Sequence, residues 1–472
     1  MISLKGNNSL LVKAEEAPEI SWTQLIGSTA LDYSLGVSAS SDGSIYITGF
    51  TEGDLDGENN SGRSDGFITK FFSDGTKAWT KLIGSSSEDF SWGISATNDS
   101  NFYIIGSTLG NLDGENNSGS SDAFLSKYSS DGIKAWTKLI GTSQWDRGYK
   151  VSTAIDGSIY ITGLTGGDLD GENNSGSYDA FLSKYLPNGT KVWTELLGTV
   201  GDDRSIELAL ASDGSIYLTG FTEADLDGEN NSGSYDAFIT KYSSDGTKVW
   251  TKLLGSSSID IGYGIASSND GTIYITGYTN GNLDGETNEG GYDAFLSKYS
   301  SNGIKAWTKL IGTAFEDAGF GVATANDGSV YVTGYSRGDL HELNNAGSND
   351  IFITKYTSDG TRVWTKMVGT YAGDVSRGIS IANDGSIYVS GYSYGDLENE
   401  INDGNFDAFL MKLAETFASS STLHTEWVQP YAAMQSVGLG SIKNNRDLVL
   451  AKAGECNNSG WVIENTDYCI YT

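Results

Sequence analysis

Short apolar and β-branched runs alternate with glycine- and aspartate-rich breaks along nearly the whole chain, and the alternation has a fixed period. Trp22, Trp79, Trp136, Trp193, Trp250, Trp307 and Trp364 stand 57 residues apart. The same step separates Gly49, Gly106, Gly163, Gly220, Gly277, Gly334 and Gly391, with no insertion or deletion across seven copies. Within one unit the pattern predicts four strands. Strand a is typified by Trp79–Ile83, strand b by Gly93–Ala96, strand c by Ser158–Gly163 and strand d by Asp122–Tyr128. Alternating side-chain type and β-branched content support each of them. The b–c turn carries Asp-Gly in six of seven copies, as at Asp42-Gly43 and Asp213-Gly214, and the d–a turn carries Asp74-Gly75 or Asn188-Gly189. These pairs supply the positive φ angles that tight hairpins require.

Four-stranded units repeated at this length predict the blades of an all-β propeller, each burying both faces against its neighbours. The expected organisation is an N-terminal strand region at 1–21, seven repeats over 22–413 and a tail at 414–472. The recurring Trp is read as a wedge between blades, in preference to a ring of sugar-stacking platforms. Asn8–Lys13 repeats strand d, since Lys13 lies 57 residues before Lys70. The tail offers strand-like stretches around Trp427, at Val437–Ile442 and at Asp447–Ala453. These pieces suit either a degenerate eighth blade that closes the ring or a separate tail beside seven blades, and the second arrangement is favoured.

The motifs Asp179–Tyr185, Asn188-Gly189, Trp193–Gly198 and Ile216–Gly220 resemble the SBBP-type bacterial β-propeller repeat over roughly residues 8–413. The resemblance implies the fold, and it implies a setting in bacterial surface or secreted proteins. The long acidic insertion between strands c and d departs from that family's short version.

Composition narrows the function classes. Asp and Glu outnumber Lys and Arg by 61 to 29, giving a formal charge of −32. Nucleic-acid binding needs a basic footprint, so it is not expected, and an anionic membrane would repel the chain. No apolar run reaches the length that crosses a bilayer, so membrane insertion is not expected either. The segment Met1–Asn8 lacks the apolar core of a secretory signal, so an extracellular or cell-surface location requires another export route or a longer parent chain. Cys456 and Cys469 can form at most one local disulfide.

Strand direction alternates, so the a–b and c–d loops share one face and the tight turns share the other. The variable length, and with it the expected function, lies on the long-loop face. In the first unit the c–d loop offers Asp54, Asp56, Glu58, Asn60 and Asp65 at positions 1, 3, 5, 7 and 12. Oxygen donors at alternate positions of a looping chain suit calcium, which takes six to eight of them. The candidate ligands recur as Asp113, Glu115 and Asp122; Asp168, Asp170, Glu172 and Asp179; Asp225, Asp227, Glu229 and Asp236; and Asp284, Glu286 and Asp293. The pattern decays in the sixth unit, with His341 and Leu343, and in the seventh, with Glu398 and Glu400. A solvated acidic loop is the competing explanation, with Asp65 and its equivalents capping strand d. A second Asp recurs in the a–b loop from Asp32 to Asp374 and is read chiefly as an acceptor of backbone N–H groups between blades.

Catalysis is not expected. His341 and His424 are the only histidines and neither occupies a repeated position, so nucleophile–histidine machinery lacks its parts. Ser129–Trp136 resembles the sialidase Asp-box, but the seven arginines are scattered along the chain. The expectation is therefore a non-enzymatic secreted or surface propeller, stabilised by calcium and serving adhesion or protein recognition. The alternative is a carbohydrate-binding or carbohydrate-active propeller that takes a glycan at the channel mouth or on Tyr178, Tyr235 and Tyr292. A spacer within a larger extracellular protein ranks below both.

Overall fold

The computed structural model describes residues 15–99 and 101–413 in full, and the backbone of 449–452 and 468–471. The first compact unit runs to Glu415. Its strands form seven four-stranded antiparallel sheets, the blades of a β-propeller.

Blade 1 runs outward from Asp32–Ala39 through Ile45–Thr51 and Asp65–Phe71 to Lys77–Ile83. The Trp-bearing strand is thus the outer strand of the blade formed by the preceding b, c and d strands, so the structural blade is offset by one strand from the repeat beginning at Trp. That offset closes the ring. Ile20–Ile26 pairs antiparallel with Asp407–Leu413 and becomes the outer strand of blade 7, with Leu25 opposite Phe409. No eighth blade is needed, because the first Trp strand already fills the last vacant edge. Asn8–Lys13 and the tail stretches at Trp427 and 437–442 lie outside the described residues. In the second compact unit Val449–Lys452 pairs with Tyr468–Tyr471.

Burial follows strand position. The second strand of a blade, such as Ile159–Thr165, is buried along its whole length, whereas the outer strand Lys191–Leu197 buries few positions. A strand covered on both faces reads as a continuous apolar run. Each core cluster also spans two blades: Tyr160, Ala180 and Leu182 of blade 3 pack with Leu208, Ile216 and Leu218 of blade 4. The recurring Trp acts at this boundary. Trp79 packs beside Tyr46 of its own blade, and its indole N–H donates to the Ser130 carbonyl of the next blade at 3.3 Å. Gly75, at φ 89°, lies flat against Trp22, where a Cβ would come within 2.9 Å of the indole. Lys70 adds a second tie, donating to Ser130 O at 3.1 Å from a position over the Tyr46 ring.

Every innermost strand carries one irregularity. In blade 1 the register shifts between Ser34 and Gly36, leaving Leu35 unpaired, and the equivalent shift recurs in each blade from Ser91/Gly93 to Ser376/Gly378. A bulge re-aims the side chain it carries. Here it turns one residue per blade towards the axis.

Candidate functional site: the long-loop face and the central channel

Each c–d loop is held at several points. Leu55 is fully buried and anchors a tight turn in which Asp56 and Gly57 take φ 51° and 84° and Leu55 bridges back to Glu58. Asp54 accepts the Asn60 N–H at 2.9 Å, Asn60 donates to Thr51 O at 3.0 Å, and Asp65 accepts Ser61 N–H at 2.8 Å. Asp56 accepts from the Lys77 ammonium and the Thr80 hydroxyl of the outer strand, and Glu58 pairs with Lys81 at 2.6 Å.

The same clamp binds Asp113 to Lys134 and Thr137, Asp170 to Lys191 and Thr194, Asp227 to Lys248 and Thr251, and Asp284 to Lys305 and Thr308. Glu115, Glu229 and Glu286 pair with Lys138, Lys252 and Lys309. In the third loop a glutamate, Glu195, replaces that lysine opposite Glu172, and burial with the neighbouring charge raises its carboxyl. Asp168 and Asp225 accept from Asn174 and Asn231, as Asp54 does from Asn60. The candidate ligands therefore turn to separate partners. Among the described residues, no three His, Cys, Asp or Glu side chains are grouped to share a metal ion. In the sixth loop His341 takes over the Asp56 position, its Nδ1 2.8 Å from the Thr365 hydroxyl.

Asp65, Asp122, Asp179, Asp236 and Asp293 leave the loop and sink between blades, each at most 1% exposed. Asp65 lies where a Gly84 side chain would be, its carboxyl carbon 2.1 Å from an ideal Cβ there. The next residue, Ser85, donates its N–H and hydroxyl to Asp89 at 2.7 and 2.8 Å. Two carboxylates from adjacent blades thus straddle one Gly-Ser step, and Asp89 N–H closes the junction on Ser64 O at 2.8 Å. The a–b Asp does accept a backbone N–H in the connection between blades. Burial raises the Asp65 carboxyl, and the Asp89 charge raises it further. In Asp236, Asp293 and Asp407 the same environment pushes it up to about 6.

The seven innermost strands enclose a central cavity of about 380 Å³. The bulged residues facing it are Leu35, Trp92, Tyr149, Ile206, Tyr263, Phe320 and Arg377, one from each blade at a 57-residue step. At this repeat position no two adjacent blades match. Aromatic contacts extend around part of the rim: Tyr33 stacks on Phe50 at 4.9 Å, Trp92 meets Tyr149 edge-on at 5.4 Å, and Tyr263 meets Phe320 edge-on at 4.9 Å.

Three of the seven arginines come to the channel or beside it. Arg204 and Arg377 both line it, and Arg147 shares a side cavity of about 240 Å³ with Arg204. Arg147, Arg204 and Arg377 are thus scattered along the chain but neighbours of one channel. Tyr178, Tyr235 and Tyr292 are half-buried rather than open platforms: Arg204 covers Tyr178 at 5.2 Å, while Tyr235 and Tyr292 pack on Phe221 and Tyr278. Ser129–Trp136, the Asp-box-like segment, forms a turn on the opposite face.

A family model, the SBBP beta-propeller repeat, matches residues 249–284. Regulatory protein FlaEY of Caulobacter vibrioides is 27% identical over 280 residues, which cover 52% of this chain and 28% of that protein. An uncharacterized WD repeat-containing protein of Acanthamoeba polyphaga mimivirus is 22% identical over 578 residues, covering 93% of this chain and 41% of that protein. The chain thus spans less than half the length of both relatives. Among solved structures, the WD40 beta propeller domain of Doa1 superposes with a TM-score of 0.48 at 11% identity, covering 85% of this chain and 98% of that one. Polysaccharide lyase Uly1 gives 0.47 at 12%, covering 82% and 91%. At these scores neither likeness bears on what the chain binds.

Proposed function

We propose that this propeller is a non-catalytic recognition module, secreted or held at the cell surface, that binds a protein partner over its long-loop face. The observation that carries the reading is the set of five near-identical c–d loops, each tied to its own blade by Asp56-type and Glu58-type contacts. Rigid, repeated loops on one side of a disc offer a pre-ordered surface, which lowers the ordering cost of association. The opposite face carries only tight turns. The test replaces the five Asp56-type turns with alanine pairs in one variant and the Asp74-Gly75-type turns with asparagine-glycine in another. Partner capture from the organism's surface proteins should fall only with the first; equal capture by both variants would end the assignment of that face.

Calcium stabilisation belongs to the same proposal. At the loops the ion would exchange with the Lys77 ammonium and Thr80 hydroxyl now bound to Asp56. A melt of chelated protein against added calcium, with magnesium as control, should show a calcium-specific rise, because a ligand that binds only the folded state stabilises it. An unchanged midpoint would remove calcium from the account and leave the lysine clamps to hold the loops.

The aromatic rim of the channel favours a second reading, glycan binding. A glycan array with and without chelator separates the two, since binding at the channel does not depend on the loops.

A further inference from the structure

We propose that the central channel binds a small carboxylate carried on a ring, with Arg377 gripping the carboxylate and the aromatic side chains of neighbouring blades receiving the ring. The inference gives the glycan reading a ligand class and is independent of any protein partner on the loop face. A cavity of about 380 Å³ lies in the range of small-ligand pockets and has their character, aromatic with few charges.

The charges decide the ligand. Lys150 and Glu207 neutralise each other at 2.9 Å. Arg204 forks onto Asp202 at 2.8 and 2.6 Å. Arg377 has no such partner: its guanidinium lies over the Phe320 ring at 4.0 Å, and its one side-chain hydrogen bond is a long one, 3.4 Å to the Tyr392 hydroxyl. Its Nε–H is buried without an acceptor. Arg147 and Arg362 also meet no carboxylate among the described residues, but Arg377 is the one that both lines the channel and keeps a buried Nε–H unmet. An unmet buried donor is costly, and a carboxylate satisfies the guanidinium fork with two parallel bonds. Contact with the Phe320 ring restrains the guanidinium in advance, so less ordering remains on binding. Tyr263, packed edge-on against Phe320, and Tyr149 across the channel provide ring faces for the body of the ligand.

The experiment is calorimetric titration of the full chain with D-glucuronate, with benzoate and with D-glucose. The expected result is saturable binding of at least one acid and binding of glucose weaker by at least about tenfold, the loss of one charge-assisted pair. Glucuronate alone identifies an acid sugar, benzoate alone an aryl acid, and both together a site that reads mainly the carboxylate. Arg377→Gln should weaken the acid by at least about tenfold while melting at the same temperature as the parent. Where that variant fails to fold, Leu35→Trp, which fills the channel from the adjacent blade, should abolish binding. Absence of binding by both acids, equal binding of glucose, or undiminished binding in a folded Arg377→Gln protein would overturn the assignment.

Discussion

Lys150 and Glu207 stand 57 residues apart and meet at 2.9 Å inside the channel, at a repeat position that is glycine in the other five blades, as at Gly36 and Gly264. Two neighbouring blades have acquired opposite charges at the same position, each supplying what the other needs. Burial raises the Glu207 carboxyl and the Lys150 ammonium works against that rise. Lys150→Gly alone should cost about 1–2 kcal/mol, because it strands a partly buried carboxylate. The double change with Glu207→Gly should recover most of that loss. A double-mutant cycle by urea denaturation reads the coupling, and additive losses would show that the two side chains act separately.

The buried aspartates set the pH response. Asp236, Asp293 and Asp407 keep protons up to about pH 6 in the folded ring, whereas the unfolded chain releases them near pH 4. The folded state therefore holds more protons across that window, and stability falls as pH rises through it. Asp213 and Asp156 act in the opposite sense. The N–H groups of Ser215 and Ser158 lower them, so their contribution is lost as pH falls below about 4. Melts across this range should peak in mildly acidic buffer. Asp236→Asn, which keeps an acceptor for Ser232 N–H, should raise stability at pH 7 by about 1 kcal/mol and flatten the profile. A lower midpoint at pH 7 would show that the charged form is the one the junction requires.

His341 occupies the Asp56-type position of the sixth loop at φ 54°. Burial, with Arg362 beside it, lowers its imidazole to about 4, so the ring is neutral at pH 7 and leaves Arg362 unmatched. His341→Asp would restore the clamp of the first five loops, with Arg362 and Thr365 in the roles of Lys77 and Thr80. Aspartate also tolerates positive φ better than most residues. Thermal melts at pH 7 should show a gain of about 0.5–1 kcal/mol; a loss would mean that the histidine is held by more than its contact with Thr365.

Ring closure rests on Ile20–Ile26. Deleting residues 1–27 leaves blade 7 with three strands and exposes Phe409 and Leu410, both fully buried in the intact ring. Cooperative melting should be lost. Deletion after Glu415 leaves all 28 blade strands in place and should preserve it. Matching behaviour of the two truncations would place the closure elsewhere.

The choice of seven blades over eight came from the pairing of Ile20–Ile26 with Asp407–Leu413. The periodic Trp, Gly and Asp positions determined the fold class, because a blade's strands are buried by position and these positions recur. Local chemistry was legible for the same reason: Asp42-Gly43 and Asp74-Gly75 sit in turns whose glycines take φ 82° and 89°. What a linear reading could not supply was direction. Asp56, Glu58 and Asp65 belong to one loop, but which partner each meets is set by the fold: Asp56 pairs with Lys77, Glu58 with Lys81, and Asp65 sinks between the blades. The lysines are regularly spaced in the outer strand, but nothing in the chain order says that they face the loop.

The channel was hidden by a different cause. Arg204 and Arg377 are 173 positions apart and line one cavity only because closure of the ring brings the innermost strands of all seven blades around the axis. The legible trace was variation within strand b, where Leu35, Trp92, Tyr149, Ile206, Tyr263, Phe320 and Arg377 occupy one repeat position. A repeat determines the scaffold that every copy shares. Only closure of the ring decides which of their differences come to share one cavity.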